Sequence, residues 1–189
     1  MRKVIVVNRI SIDGYFASNN EATAGMDWFV QDPEVDKAVH KPVHSDTLLL
    51  GEKTFDLFER SWVPMLNDPN TPPPLKAIAQ ELTDMQKIVF TKADRNSEWE
   101  NTEFHRSGLI EFVEELKKQD GKDILILGSG TIVQQLANES LIDEYQFIVS
   151  PIVAGEGKPL FKGVKQHSLK LLSVESFDSG NVVLRYETV

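Results

Sequence analysis

Two glycine-bordered stretches of this chain carry the residue types that bind anions. Ile124-Leu125-Ile126-Leu127 is an apolar run that stops at Gly128-Ser129-Gly130-Thr131 and resumes with helical spacing at Ile132, Val133 and Leu136. It reads as a strand, a tight turn and a helix. Gly128 and Gly130 put no side chain between the backbone and a ligand, and the first N–H groups of the helix stand without intrahelical partners at its positive end. Such a place favours a phosphate. The pattern recurs where Thr47-Leu48-Leu49-Leu50 runs into Gly51-Glu52-Lys53-Thr54. Thr91-Lys92 and Asp13-Gly14 close two further apolar runs. In an open α/β sheet the carboxyl ends of the strands are where ligands bind. Two helix starts, two lysines and several hydroxyls gathered there would hold a pyrophosphate and a further phosphate.

The spacing is neither the Gly-x-Gly-x-x-Gly dinucleotide fingerprint nor a Gly-Lys-Ser/Thr phosphate loop, and the same turns also occur where nothing binds. Other candidates are weaker. Asp27-Trp28 is placed to line a substrate pocket, although Trp28-Phe29 beside a loop equally suits an anchor of that loop in the core. His40 and His44 are four apart, but Pro42 lies between them and no glutamate follows His40, so a solvated face is preferred to zinc. His105 and His167 stand alone. Gly-x-Ser-x-Gly is absent from the sequence, which removes the support for a serine hydrolase. Without cysteine, thiolate catalysis, disulfides and Cys-ligated zinc are excluded.

The elements that must position these groups follow from apolar periodicity. The expected order is a strand over 3–10, a polar mobile loop over 18–25, and a short helix capped by Asp32, begun by Pro33 and ended at Pro42. A strand over 47–50 and a helix from Gly51 come next. Pro64 to Pro74 reads as an excursion over the surface, Leu75 to Leu82 as a helix and Lys87 to Lys92 as a strand. Thr102 to Arg106 is a short strand, and Gly108 to Lys118 a helix stopped by Gly121. After the central turn, Glu144 to Ser150 returns as a strand in a βαβ unit with a parallel neighbour. The tail, Leu169 to Phe177 and Val182 to Tyr186, forms an antiparallel hairpin. The fold class is therefore α/β, three-layered, with a mostly parallel central sheet and a C-terminal antiparallel hairpin, in one domain over 1–189.

At 189 residues, with 41% hydrophobic and 26% charged, the chain can bury a substantial core. A net charge of −9 argues against nucleic-acid binding, so an anionic ligand must be held by a local site. The apolar run at the start is too short for a signal peptide, and no segment has the ~20 apolar residues of a membrane span; a cytoplasmic protein without membrane partners is expected.

Ser11-Ile12-Asp13-Gly14, Leu50-Gly51-x-x-Thr54-Phe55 and the block from Leu127-Gly128-Ser129-Gly130 through Leu141-Ile142-Asp143-Glu144 to Pro151-Ile152-Val153-Ala154-Gly155-Glu156-Gly157-x-Pro159-Leu160-Phe161 occur in this order and spacing. In them the chain resembles the dihydrofolate reductase-like superfamily, above all the C-terminal reductase domain of the bifunctional riboflavin-biosynthesis deaminase/reductase. The resemblance implies an NADPH-dependent reductase that passes hydride to a pyrimidine or pterin ring, with a small-molecule substrate and a homodimeric assembly. It implies that Gly51, Lys53 and Thr54 bind cofactor phosphate, that Gly128, Ser129, Gly130 and Thr131 hold the pyrophosphate, and that Thr91 and Lys92 meet the adenosine 2′-phosphate. Asp13, as the catalytic candidate, and Gly14 would lie near the nicotinamide and the substrate, while Asp27 and Trp28 stay substrate-pocket candidates on their place beside the loop alone. Two positions depart from the family pattern: Gly128-Ser129 replaces a Gly-Gly that is sometimes cis, and Glu52 stands where dihydrofolate reductases carry a basic residue. The deaminase half, with its zinc-ligand pattern, is absent from the sequence. The substrate implied best is 5-amino-6-(5-phosphoribosylamino)uracil; dihydrofolate or another pterin, and a non-catalytic NADPH-binding module, are the alternatives.

Overall fold

A computed structural model describes residues 1–40 and 44–189. The helix end expected at Pro42, and with it the His40–His44 pairing, falls outside the described residues. The buried strands alternate their side chains between two helical layers, as period-two geometry requires. β1 (Val4–Ile10) sends Val4 and Val6 to one face and Ile5 and Val7 to the other. β3 (Ser45–Gly51), β4 (Gln86–Phe90) and β6 (Asp123–Leu127) do the same with Leu49, Ile88, Ile124 and Ile126 against Leu48, Leu50, Val89 and Leu125.

The first face is covered by α4 (Leu109–Lys118) and α5 (Gly130–Asn138), through Val113, Leu116, Ile132 and Leu136. The second packs α1 (Pro33–His40), α2 (Glu52–Asn67) and α3 (Pro73–Asp84), through Val35, Phe55 and Leu82. With β2 (Tyr15–Ala17), β5 (Thr102–His105), β7 (Glu144–Val149), β8 (Lys158–Pro159), β9 (Leu169–Ser176) and β10 (Val182–Thr188), the main sheet runs β5-β4-β3-β6-β1-β7-β10-β9. From β5 across to β7 the neighbouring strands are parallel, and β10 pairs antiparallel with both β7 and β9. The expected three layers and C-terminal hairpin are thus present.

Several boundaries differ from the sequence expectation. Pro64 lies inside α2 rather than opening a surface excursion, because Phe58, Trp62 and Val63 continue the apolar stripe of that helix onto the second core. The proline forfeits one helical N–H close to the C-terminus, where burial of the stripe outweighs it. The connection shrinks to the residues before Pro73, which starts α3. α4 leaves its helical path at Gln119, ahead of Gly121. β6 and β7 are parallel but not adjacent; β1 runs between them and pairs with both. The 18–25 loop contains a 3-10 turn at Glu21–Thr23, capped by the Asn20 side chain on the Ala22 N–H. Among the described residues no helix is long and apolar enough to cross a membrane, and no group of acidic or histidine side chains is placed to hold a metal.

Candidate active site at the carboxyl ends of the strands

Parallel strands that each feed a helix deliver the starts of those helices to one edge of the sheet. Here the edge forms a cavity of ≈ 1110 Å³ into which α2, α4 and α5 open together. At all three starts the N-cap residue, Gly51, Gly108 or Ser129, makes no side-chain capping bond. Three positive helix ends therefore face one space. The lining carries four cations, Lys53, Lys92, Arg106 and Lys158, against two carboxylates, Glu21 and Glu52. Arg106 pairs with Asp94 at 2.7 Å in an exposed setting, which screens the pair strongly. Lys53, Lys92 and Lys158 have no ion-pair partner among the described residues. On a chain of net charge −9 this is a local positive basin.

Of the residues expected to bind cofactor, Gly51, Lys53, Thr54, Thr91, Lys92, Ser129, Gly130 and Thr131 all line the cavity. Their individual roles differ from the expectation. Ser129 is buried and left-handed at φ 59°, and its hydroxyl accepts the Gly51 N–H at 2.7 Å and donates to Thr54 Oγ1 at 3.1 Å. It ties two helix starts together instead of facing a ligand. Gly128 is not in the lining; it turns at φ 70°, a left-handed conformation that favours glycine, and a Cβ there would only touch Thr54 at 3.4 Å. The Gly128–Ser129 bond is trans. The Phe16 ring lies over Gly130, where a Cβ would come within 2.6 Å of Phe16 Cε1 and the ring would have to move aside.

Thr91 spends its hydroxyl on Glu52 Oε2 at 2.7 Å and accepts the Ala93 N–H at 3.1 Å, which leaves Lys92 as the group at this strand end with freedom to meet a phosphate. The Glu52 carboxylate, at the position where the family pattern has a base, is turned to Thr91 and lies 3.9 Å from Arg95.

The four residues expected beside the substrate make their contacts outside this cavity. Asp13, Gly14, Asp27 and Trp28 do not line the cavity. The Asp13 carboxylate accepts the backbone N–H groups of Ala154 at 2.9 Å and Gly155 at 2.7 Å. The Ala154 bond leads in lowering its pKa to about 2, so at neutral pH Asp13 is ionised and has no proton to give. Asp27 accepts from Ser18 Oγ at 2.6 Å and Thr23 Oγ1 at 2.7 Å, bracing its own loop. Trp28 donates to the Gly25 carbonyl at 2.7 Å, and Gly14 accepts from Leu160 N at 3.1 Å. Each satisfies main-chain or loop geometry, which is the other use of these residue types.

Phe16, Glu21, Arg106, Ser107, Gly108, Gln135 and Lys158 are lining residues absent from the sequence-based site. For three of them a signal was present: Arg106-Ser107-Gly108-Leu109 repeats the strand, glycine, helix-start pattern. Phe16, Glu21 and Lys158 arrive from outside the strand ends, on or beside the β2·β8 ribbon, and only the folded chain brings them in.

The strand order and the three layers are those of the dihydrofolate reductase-like fold, and the family to which the chain belongs makes it an oxidoreductase. The chain belongs to the RibD C-terminal domain family, whose model matches residues 2–183. A Bacillus subtilis protein named YyaP, itself uncharacterised, is 32% identical over 186 residues, covering 98% of this chain and 94% of its own. A putative riboflavin biosynthesis protein from Shewanella sp. PV-4 superposes with a TM-score of 0.70 at 20% identity over 99% of both chains. The diaminohydroxyphosphoribosylaminopyrimidine deaminase/5-amino-6-(5-phosphoribosylamino)uracil reductase of Thermotoga maritima superposes at 0.66 and 15% identity, this chain covering 57% of that one.

Proposed function

We propose that the protein is an NADPH-dependent reductase of a small heterocycle, with 5-amino-6-(5-phosphoribosylamino)uracil as the substrate that its family membership favours. The observation that carries the cofactor assignment is the convergence of three uncapped helix starts and four cations on one cavity. The N–H groups at Gly130 and Thr131, with Lys53 and Thr54 across the cavity, fit a pyrophosphate. Lys92 and Arg106, beside the start of α4, fit the adenosine 2′-phosphate. Bound there, the nicotinamide would supply hydride; the protein contributes orientation, charge and exclusion of water.

A cytoplasmic homodimer belongs to the same reading. β9 is the outer strand of the sheet and exposes Leu171, Leu172 and Val174, an apolar edge of the kind that a second copy covers.

The test is an NADPH titration followed by single-turnover reaction with a panel of aminopyrimidines and pterins. Saturable binding and oxidation with a phosphoribosylaminopyrimidine support the reading. Turnover of dihydropterins alone would move the activity to pterin reduction, and binding without turnover on either class would leave a nucleotide-binding module.

A further inference from the structure

Asp13 lies outside the cavity yet is bonded to the segment that reaches into it. The turn at Asp13 is stapled to residues 152–160 along its length. Ile12 N donates to Ile152 O at 2.8 Å, the Asp13 carboxylate takes the Ala154 and Gly155 N–H groups, and Leu160 N donates to Gly14 O at 3.1 Å. Just beyond the turn, Ala17 pairs with Lys158 in the β2·β8 ribbon. From the other side, Gln134 Nε2 on α5 donates to the carbonyls of Pro159 and Leu160 at 3.1 Å each, and Leu160 is fully buried. Lys158 is thus carried on a strand fixed at both flanks, and it lines the cavity together with Thr131 and Gln135 of α5.

An ammonium near the positive start of a helix is electrostatically unfavourable unless an anion lies between them. No carboxylate among the described residues pairs with Lys158. We propose that Lys158 is a cofactor-binding residue that closes on the phosphate held at the start of α5, and that Asp13 is a positioning residue that acts through it. The inference rests on the dinucleotide reading of the cavity. It explains why Ser11-Ile12-Asp13-Gly14 and Ala154-Gly155-Glu156-Gly157-Lys158-Pro159-Leu160-Phe161, far apart in sequence, form one unit, and it gives Asp13 a positioning role in place of the catalytic contact expected of it.

The experiment compares NADPH affinity, its ionic-strength dependence and the single-turnover rate at saturating NADPH for Lys158→Gln, Asp13→Asn, their combination, and Lys162→Gln, an exposed lysine outside the lining. A charge-assisted contact is worth enough that Lys158→Gln weakens NADPH by about tenfold or more and flattens its salt dependence. Lys162→Gln leaves both unchanged. Asparagine offers one acceptor where two N–H groups converge, so Asp13→Asn also weakens NADPH while the saturated rate stays at the parent value. In the combined variant the two losses do not add, since both act on one contact. Thermal unfolding of each variant confirms that the proteins compared are folded. Parent-like affinity in Lys158→Gln, additive losses in the combination, or a slowed saturated rate with unchanged affinity in Asp13→Asn would each overturn the proposal. A parent that does not bind NADPH would overturn the cavity reading and this inference with it, whereas a binding parent with an indifferent Lys158→Gln overturns this inference alone.

Discussion

Ser129 offers the sharpest quantitative test of how the site is built, because one hydroxyl holds together turns 78 residues apart in the chain. Ser129→Ala deletes the acceptor for the Gly51 N–H and the donor to Thr54 Oγ1 in a place that is 7% exposed. Two hydrogen bonds at about 1 kcal/mol each, plus the cost of leaving the Gly51 N–H unpaired, make the expected destabilisation ~2–3 kcal/mol. Ser129→Gly loses the same bonds but also removes the Cβ from a left-handed residue at φ 59°, which recovers ~1 kcal/mol. The glycine variant should therefore unfold above the alanine variant in temperature, by roughly 2–4 °C for a chain of this size. Urea unfolding gives the loss in free energy and thermal unfolding followed by circular dichroism the difference in temperature, and calorimetric NADPH titration tests whether the two helix starts have lost their alignment. Equal stability of the two variants would refute the backbone argument, and a parent-like Ser129→Ala would show that the hydroxyl does not join the turns.

Lys92→Ala should weaken NADPH by roughly ten- to a hundredfold with little effect on NADH, the scale of one charge-assisted contact to the 2′-phosphate; equal losses for the two cofactors would detach Lys92 from that group. Lys87 is fully buried, and its ammonium donates to the carbonyls of Leu82, Thr83 and Met85 at 2.7–2.9 Å, closing the end of α3. Lys87→Met should cost ~2–3 kcal/mol at pH 7, read by urea unfolding, because those carbonyls lose a charged donor. Burial pushes the Lys87 pKa from 10.5 down to about 8. The unfolded chain then holds more protons between these values, so the parent gains stability relative to Lys87→Met as pH rises from about 8 to 10.5. A difference between the two proteins that is flat across that window would contradict it. Val174, 57% exposed on the outer strand, is the place to test assembly: Val174→Lys should leave folding within ~0.5 kcal/mol yet shift a dimer to monomer in sedimentation velocity, and a dimer that persists would remove this edge from the interface.

What can be read from the sequence is what depends on near neighbours. A continuous apolar run bounded by glycine and followed by helical spacing has few physical outcomes, so β3–α2 and β6–α5 and their cavity-facing starts are legible in the order of the residues alone. Parallel connection then obliges the strand ends to share an edge, which is why eight of the nine expected cofactor residues line one cavity. The same rule, applied to Arg106-Ser107-Gly108-Leu109, adds the third helix start. The end of α2 is not legible in this way, because proline near a helix terminus is decided by whether the preceding stripe finds a core, and that core is assembled from distant strands.

Side-chain roles at the site are decided by the tertiary structure alone. Ser129, Thr91 and Asp13 carry the groups a phosphate or a proton transfer would need, and sequence spacing ranks them as ligand-facing. In the folded chain each of those groups is already spent on a partner distant in sequence: Gly51 and Thr54 for Ser129, Glu52 for Thr91, the Ala154 and Gly155 amides for Asp13. Lys158 shows the converse, a lysine in a glycine-punctuated loop whose residue type says nothing until β2 and β8 pair and set it over α5. Local periodicity determines which backbone atoms point at the cavity, because helix starts and strand ends are properties of consecutive residues. Which side chains remain free to use it depends on long-range hydrogen bonds, and those exist only after the layers have closed.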